Sequence, residues 1–157
     1  MPGQELERKF VLSAIPFELS AYPASQIRQG YLSIDPVGSE VRVRRRGERC
    51  SLTVKRGAGV AREEEELDLD EDELARLWPL TEGRRVEKTR YEIPASDGLV
   101  IELDVYAGPL EGLITAEIEF GSDAEAERFQ MPHWLGREVT EDPAYKNHRL
   151  ASDGLPD

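Results

Sequence analysis

Polar and apolar residues alternate along most of this chain, and a period of two is typical of β-strands that bury one face. The alternation is clearest over 40–46, where Val41 and Val43 stand between arginines. About eight segments follow this pattern, and most are joined by short turns. The predicted strands span 5–12, 27–34, 40–46, 51–55, 62–69, 85–93, 99–106 and 115–120. Strands linked in this way favour an antiparallel sheet that is curved or closed.

Helix signals are fewer and lie between or after the strands. Asp70 and Ser122 each precede a glutamate by three residues, which is the arrangement of a capping box at the start of a helix. Helices are predicted over 70–80 and 122–129, with shorter elements around 17–21 and 143–150. The length allows one domain with a real core. We predict a single domain over 1–150 and a mobile tail over 151–157.

Residues of one parity give the predicted strands a common polar face, opposite a face of Leu, Val, Ile and Phe. In an ordinary barrel this polar face would be solvated around an apolar interior. In an inverted barrel it would line a hydrated tunnel, and helices would cover the apolar exterior. Composition alone favours the ordinary barrel. The polar face comprises Glu5, Glu7, Lys9, Gln29, Tyr31, Arg42, Arg44, Arg46, Thr53, Lys55, Glu64, Glu66, Lys88, Arg90, Glu102, Asp104, Glu117 and Glu119.

Charge changes that picture, because the signs are sorted by strand. Residues 42–56 contain seven Lys and Arg and a single acid, Glu48, in a protein of formal net charge -12. A soluble surface usually mixes signs, and arginines opposite lysine repel each other unless an anion lies between them. The acids form Glu-x-Glu or Glu-x-Asp pairs on four strands, which is the grouping that hard divalent cations prefer. A cation cluster beside a carboxylate cluster indicates a polyanion bound with metal ions, and this favours the inverted barrel.

The overall composition excludes some function classes. The negative net charge argues against a general binder of nucleic acid or membrane surfaces. The single cysteine, Cys50, excludes an intramolecular disulfide and indicates a reducing compartment. The sequence shows neither a signal peptide nor an apolar run long enough to span a bilayer, so a cytoplasmic location is expected.

One stretch resembles the signature of a known family. Glu5-x-Glu7-x-Lys9 is similar to the opening motif of the CYTH domain, the triphosphate tunnel metalloenzymes, and further blocks resemble that family in its order over residues 4–150. These blocks are Gln29-Gly30-Tyr31-Leu32-Ser33, Val41-Arg42-Val43-Arg44, Leu52-Thr53-Val54-Lys55, Glu87-Lys88-Thr89-Arg90-Tyr91, Glu102-Leu103-Asp104-Val105-Tyr106, Ala116-Glu117-Ile118-Glu119, Glu138-Val139-Thr140 and Tyr145-Lys146-Asn147.

The resemblance implies an α+β fold that is mainly antiparallel β, an eight-stranded closed β-barrel tunnel with a charged interior and helices packed outside. It also implies one or two Mg²⁺ or Mn²⁺ ions. Lys9 and Tyr31 are expected to orient or activate the nucleophile. The phosphate oxygens are expected to bind Lys9, Arg42, Arg44, Lys55, Lys88 and Arg90. The expected metal ligands are Glu5, Glu7, Glu117 and Glu119, followed by Glu64, Glu66 and Asp104.

The activity that the resemblance implies is hydrolysis of inorganic triphosphate to pyrophosphate and phosphate. The alternatives are hydrolysis of thiamine or nucleoside triphosphates, a class IV adenylyl cyclase, a non-catalytic polyphosphate-binding module, and an unrelated barrel with a solvated polar face. Nucleic acid and membrane partners are not expected, and a homodimer is left open. His133 and His148 have no paired ligand at useful spacing, so we expect them not to bind metal. Whether Lys146 reaches the tunnel is left open.

Overall fold

A nine-stranded antiparallel sheet forms most of the computed structural model, which describes residues 6–35, 39–57 and 63–156. The sheet order is β5-β4-β3-β2-β6-β7-β8-β1-β9. The expected α+β class with a mainly antiparallel sheet is therefore confirmed. The strands are β1 (Leu6–Leu12), β2 (Ala24–Ile34), β3 (Glu40–Arg46), β4 (Arg49–Arg56), β5 (Glu63–Leu69), β6 (Arg85–Pro94), β7 (Val100–Ala107), β8 (Ile114–Phe120) and β9 (Arg137–Glu138).

The predicted count of eight strands is wrong by one. β9 is only two residues long, so it carries no periodic pattern that the sequence could reveal. It pairs with β1, where the Arg8 guanidinium also binds both carboxylate oxygens of Glu138 at 2.6 and 3.0 Å. Among the described residues, the hydrogen-bonded ladder ends at β5 and at β9 and does not join them. The closed barrel therefore stays a prediction.

Three short helices accompany the sheet: α1 (Glu71–Leu77), α2 (Asp123–Arg128) and α3 (Asn147–Asp153). Asp70 closes a full capping box with Glu73 on α1, and the Ser122 hydroxyl accepts the amide N–H of Glu125 on α2. Both predicted helix starts are therefore confirmed. α3 is preceded by a single 3-10 turn, Pro143–Tyr145, and its last three residues extend past position 150.

The helix predicted over 17–21 is wrong. This stretch forms bends and a turn closed by the Tyr22 amide and the Leu19 carbonyl, 3.1 Å apart. Phe17 packs edge-on against Trp134, with ring centroids 5.3 Å apart, and Pro23 disfavours helical backbone at Tyr22. Aromatic packing thus decides the path of the chain here.

The apolar face of the sheet is packed where β1, β6, β7 and β8 lie side by side. Its buried core is supplied by strand residues such as Phe10, Leu103 and Ile118. The stretch around Phe17 and the residues following α2, including Phe129 and Trp134, cover this core from outside. This is the apolar exterior that an inverted arrangement requires.

The polar face is enclosed over the same part of the sheet. Lys9, Lys88, Arg90 and Asp104 are each no more than 9% exposed, although all four side chains are ionisable. Their burial contradicts the alternative in which the polar face is solvated, because buried charges persist only when they are paired or hydrogen-bonded. β5 differs, since its residues are exposed except for the half-buried Leu69.

One end of the polar face is filled by apolar residues from the C-terminal segment. Tyr145 and Leu150, from the 3-10 turn and α3, pack with Val86, Tyr106 and Val139 in a separate buried cluster. This packing brings the residues between β9 and α3 against the charged side chains. Within the described ranges, no helix combines the length and apolar character needed to cross a membrane.

Candidate active site

Two carboxylates meet where β1 and β8 pair. Glu117 lies opposite Lys9, and Glu7 lies opposite Glu119, so the parity predicted from sequence brings all four to one face. A hydrogen bond to Glu117, together with burial and the nearby negative charge, raises the pKa of Glu7 to about 8. Two carboxylates this close form a site where a divalent cation can replace the proton that Glu7 would otherwise retain.

Lys9 lies beside this carboxylate pair and is buried. Its ammonium donates a hydrogen bond to the Tyr145 carbonyl at 2.5 Å, which ties β1 to the C-terminal segment. Burial lowers the pKa of Lys9 below its ordinary value, while Glu117, Asp104 and Glu7 act in the opposite direction. The ammonium therefore stands among three carboxylates, at the border between the acidic and basic parts of the face.

Lys88, Arg90 and Asp104 form a buried ion-pair group on β6 and β7. The Lys88 ammonium lies 2.9 Å from Asp104, and the Arg90 guanidinium donates to both Asp104 oxygens at 2.8 and 3.0 Å. Burial alone would raise the pKa of Asp104, but the two cations hold it below its ordinary value. Burial likewise lowers the pKa of Lys88 to about 8. Asp104 thus serves as counterion to two of the predicted phosphate-binding cations.

Arg42 and Arg44, on β3, lie close enough for their positive charges to repel each other. Arg42 Nε is buried without a hydrogen-bond partner among the residues that the structure describes. Burial, followed by the like charges of Arg42, Arg90 and Arg46, lowers the pKa of Arg44. Guanidinium groups held together in this way favour an anion between them, because bidentate hydrogen bonds to phosphate oxygens would offset the repulsion.

Tyr31 is fully buried beside these arginines. Its hydroxyl accepts a hydrogen bond from the Gln29 amide at 3.0 Å and interacts with Arg42. Burial raises the pKa of Tyr31 to about 12, so the phenol remains protonated at neutral pH. Tyr31 can therefore donate a hydrogen bond toward the cavity, but it is poorly suited to accept a proton.

The remaining predicted residues lie farther out. Glu64 and Glu66 are exposed on β5, opposite Lys55 and Thr53 respectively, and Glu119 is exposed on β8. The predicted ligand Glu5 lies outside the described residues. Within those residues, no three His, Cys, Asp or Glu side chains come close enough together to hold a metal ion. The ligand set therefore stays a prediction.

A cavity of about 770 Å³ opens in front of Glu7, Glu117 and Arg42. Glu7, Lys9, Tyr31, Arg42 and Glu117 contribute to its wall, together with residues from the C-terminal segment. Lys55 lines it as well, so the structure brings six of the predicted site residues together around one space.

Several wall residues of this cavity were not expected from the sequence. Asp142, Lys146 and His148 all line it, so the question of whether Lys146 reaches the site is answered. Burial lowers the pKa of His148, which is half-buried. The sequence signal for these residues was the family resemblance at Tyr145-Lys146-Asn147. The contact between Lys9 and Tyr145 could not be predicted, because the two residues lie more than 130 positions apart in the chain.

A second cavity, of about 500 Å³, lies next to Arg44. Arg46 and Arg49 also line it, and the acids at its wall are Glu66 and Glu92. The β3 arginines thus contribute to two cavities, Arg42 to the first and Arg44 to the second.

The enclosed cations and paired carboxylates on an antiparallel sheet define a class of protein that binds small polyanions. Comparison with known proteins then identifies the family. The chain is 47% identical over 148 residues to the inorganic triphosphatase of Nitrosomonas europaea, covering 94% of this chain and 96% of the relative. It is 37% identical over 153 residues to the inorganic triphosphatase of Acetivibrio thermocellus, covering 96% and 95%. The chain belongs to the inorganic triphosphatase family of these relatives.

Solved structures agree on the fold. The crystal structure of the inorganic triphosphatase NE1496 superposes with a TM-score of 0.79 at 41% identity, covering 99% of this chain and 98% of that one. A Hippeastrum protein described as an adenylyl cyclase candidate with dominant triphosphatase activity superposes with a TM-score of 0.55. At 17% identity, covering 79% of this chain and 83% of that one, it shows the fold alone. No family model matches the chain.

Proposed function

We propose that this protein is a divalent-metal-dependent inorganic triphosphatase of the CYTH, or triphosphate tunnel metalloenzyme, type. The observation that carries the proposal is that one cavity is lined by the adjacent carboxylates Glu7 and Glu117 and by Arg42, whose Nε has no hydrogen-bond partner within the described part of the chain. The name of the two relatives supports inorganic triphosphate as the substrate. The finer fold proposal is that the curved sheet closes into a tunnel around this polar face.

Glu7 and Glu117 repel each other when both are ionised, and a hard divalent cation between them would relieve that repulsion. The hydrogen bond to Glu117, burial and the negative charge of Glu117 raise the pKa of Glu7 to about 8. We propose that Glu7 and Glu117 are the first ligands of the metal, and that Glu5, Glu64, Glu66 and Glu119 complete its coordination once the cation is bound. Bound there, Mg²⁺ or Mn²⁺ would neutralise phosphate charge and lower the pKa of a bound water. Asp104 fits least, since both its oxygens already accept from Arg90.

The basic residues would hold the substrate. Arg42 and Arg44 bind phosphate oxygens through their guanidinium forks, and Lys55, Lys88 and Arg90 contribute positive charge. Hydrolysis transfers the terminal phosphoryl group to the oxygen of a water molecule: the bond from that phosphorus to the bridging oxygen breaks, pyrophosphate leaves, and the proton that the water loses ends on the phosphate products. Lys9, which stands between the acids and the cations, neutralises charge on the reacting phosphoryl group. Tyr31 donates a hydrogen bond and fixes orientation.

Product analysis tests this proposal against its alternatives. The full-length protein is incubated with tripolyphosphate, thiamine triphosphate or ATP, and with Mg²⁺, Mn²⁺ or EDTA, and the products are separated by chromatography. We expect equimolar pyrophosphate and phosphate from tripolyphosphate, faster than from the organic triphosphates, and no product in EDTA. Cyclic AMP from ATP would indicate a cyclase instead. Ligand binding without turnover under every metal would indicate a binding module.

A further inference from the structure

The second cavity shares Arg44 and Glu66 with the proposed triphosphate site, but that site does not use Arg46 and Arg49, which also line the cavity. It lies at the C-terminal end of β3, away from Glu40. Its positive charge comes from Arg44, Arg46 and Arg49. Ser51, on the neighbouring strand β4 and directly opposite Arg44, also lines it and is buried. A hydroxyl beside guanidinium groups is a combination that recognises phosphate oxygens.

The cavity continues the row of cations that begins in the first cavity. Alternate residues on a strand are about 7 Å apart, so Arg42, Arg44 and Arg46 form a line with this repeat. The repeat exceeds the separation of neighbouring phosphorus atoms in a polyphosphate chain. An extended phosphate chain held by Arg42 and Arg44 therefore leads directly to Arg46.

The positive charges of Arg46 and Arg49 at the second cavity are only weakly neutralised by their acidic partners. Arg46 lies directly opposite Arg49 in the β3–β4 ladder, an arrangement that is unfavourable for like charges. Their acidic partners are solvent-accessible: Arg46 lies 3.2 Å from Glu92, and Arg49 lies 3.2 Å from Asp68. Exposed ion pairs of this kind contribute little, so a polyanion can exchange for them at low cost.

We propose that the second cavity is an anion subsite for the fourth and later phosphoryl groups of linear polyphosphates. The inference rests on the proposed function, since it assumes that three phosphoryl groups occupy the Arg42–Arg44 site. Arg46 and Arg49 bind the extending part of the chain. A triphosphate does not reach them, so they set chain-length preference without taking part in hydrolysis.

The test compares chain lengths in matched variants of the full-length protein. Initial rates of phosphate release are measured with tripolyphosphate and with linear tetraphosphate for the wild type and for Arg46→Ala, Arg49→Ala and the double variant. We expect the KM for tetraphosphate to rise at least about tenfold in the double variant, because charge-assisted hydrogen bonds are lost. The KM and kcat for tripolyphosphate should change by less than about twofold.

Arg56→Ala is the matched control. Arg56 lies on the same strand as Arg49 and pairs across to Glu63 at 2.7 Å, but it lines neither cavity. It should leave both substrates unchanged. Equal effects of the double variant on the two substrates, or no effect on either, would overturn the subsite.

A failure of the proposed function would be distinguishable from a failure of the subsite. If the wild type hydrolyses neither compound, the triphosphatase proposal fails. The rise in melting temperature that each phosphate chain produces then reports binding alone. A larger rise with tetraphosphate than with tripolyphosphate, lost in the double variant but kept in Arg56→Ala, supports the subsite. Equal rises contradict it.

Discussion

Glu7 is a residue whose ionisation depends clearly on the folded structure, because its side chain lies against Glu117. Because the two side chains share a hydrogen bond and lie partly out of water, Glu7 keeps a proton that an unfolded chain would release. The folded state therefore binds more protons than the unfolded state over this pH range. A divalent cation would compete with the same proton, which links metal binding, pH and stability.

The first prediction concerns stability of the metal-free protein. The pKa of Glu7 is raised from 4.5 to about 8, so the free energy of unfolding should fall as pH rises through this window. Glu7→Gln should flatten this fall, because glutamine does not titrate. Chemical denaturation in EDTA at several pH values measures the free energy of unfolding of both proteins. Glu127→Gln, at an exposed position on α2, is the control and should keep the wild-type dependence of the free energy of unfolding on pH. The same pH dependence in Glu7→Gln as in this control would contradict the explanation.

The second prediction concerns Tyr31, whose hydroxyl accepts from Gln29 and stays protonated up to a pKa of about 12. Tyr31→Phe should lower kcat for tripolyphosphate by about tenfold through loss of one hydrogen bond. The shape of the pH–rate profile should be unchanged, because the hydroxyl does not titrate within it. Loss of one limb of the profile in Tyr31→Phe would instead assign the phenol as a general base.

At this scale, the sequence could predict which residues share a face but not which of them touch. Parity alone placed Glu7, Lys9 and Glu117 on the polar face. The contact between the two glutamates depends on β1 lying next to β8, which are more than 100 residues apart in the chain. The engagement of Asp104 by two cations likewise depends on the β6–β7 register.

The elements hold the site through close packing between strands and turns. Gly30, next to Tyr31, lies so near Thr81 that an added Cβ would approach the Thr81 side chain to 2.5 Å. Thr81 cannot easily move away, because its hydroxyl donates to the Trp78 carbonyl and accepts from Arg85. The 3-10 turn after α1 is thus pressed against β2.

The third prediction follows from this contact. Gly30→Ala should destabilise the protein by about 1–3 kcal/mol, as expected for an overpacked site, and should reduce activity by displacing Tyr31. Urea denaturation measures the loss of stability. Gly121→Ala is the control, because its nearest contact would be an ordinary 3.9 Å, and it should change stability by less than about 1 kcal/mol. Equal stability of the two variants would contradict the packing argument.

Elements with local signals were predictable, and elements decided by distant contacts were not. Asp70 and Ser122 mark their helices through side chains that cap the first turn, which is local chemistry. β9 forms because Arg8 and Thr140 hold Glu138 against β1, and no pattern in the neighbouring residues predicts this strand. The turn at 17–22 follows packing onto Trp134, again a long-range contact.

The whole molecule combines an apolar exterior, an enclosed charged face and a C-terminal segment that fills one end of that face. Alternation and charge sorting predicted the first two, since the alternation recurs on each of the eight predicted strands and the charges are sorted among them. The third was beyond prediction, because the carbonyl that anchors Lys9 belongs to the backbone of Tyr145 and has no side-chain signature. Closure of the sheet depends on how its two edge strands approach, which strand patterns do not encode.

The central claim is that the adjacent carboxylates Glu7 and Glu117, together with Arg42 and Arg44, form one metal-dependent triphosphatase site. Its most direct test is the rate of tripolyphosphate hydrolysis by Glu117→Gln beside the wild type at saturating Mg²⁺ or Mn²⁺. If Glu117 holds the metal as proposed, its loss should lower kcat by at least about a hundredfold while the melting temperature stays close to that of the wild type. Hydrolysis by Glu117→Gln at the wild-type rate would contradict the account.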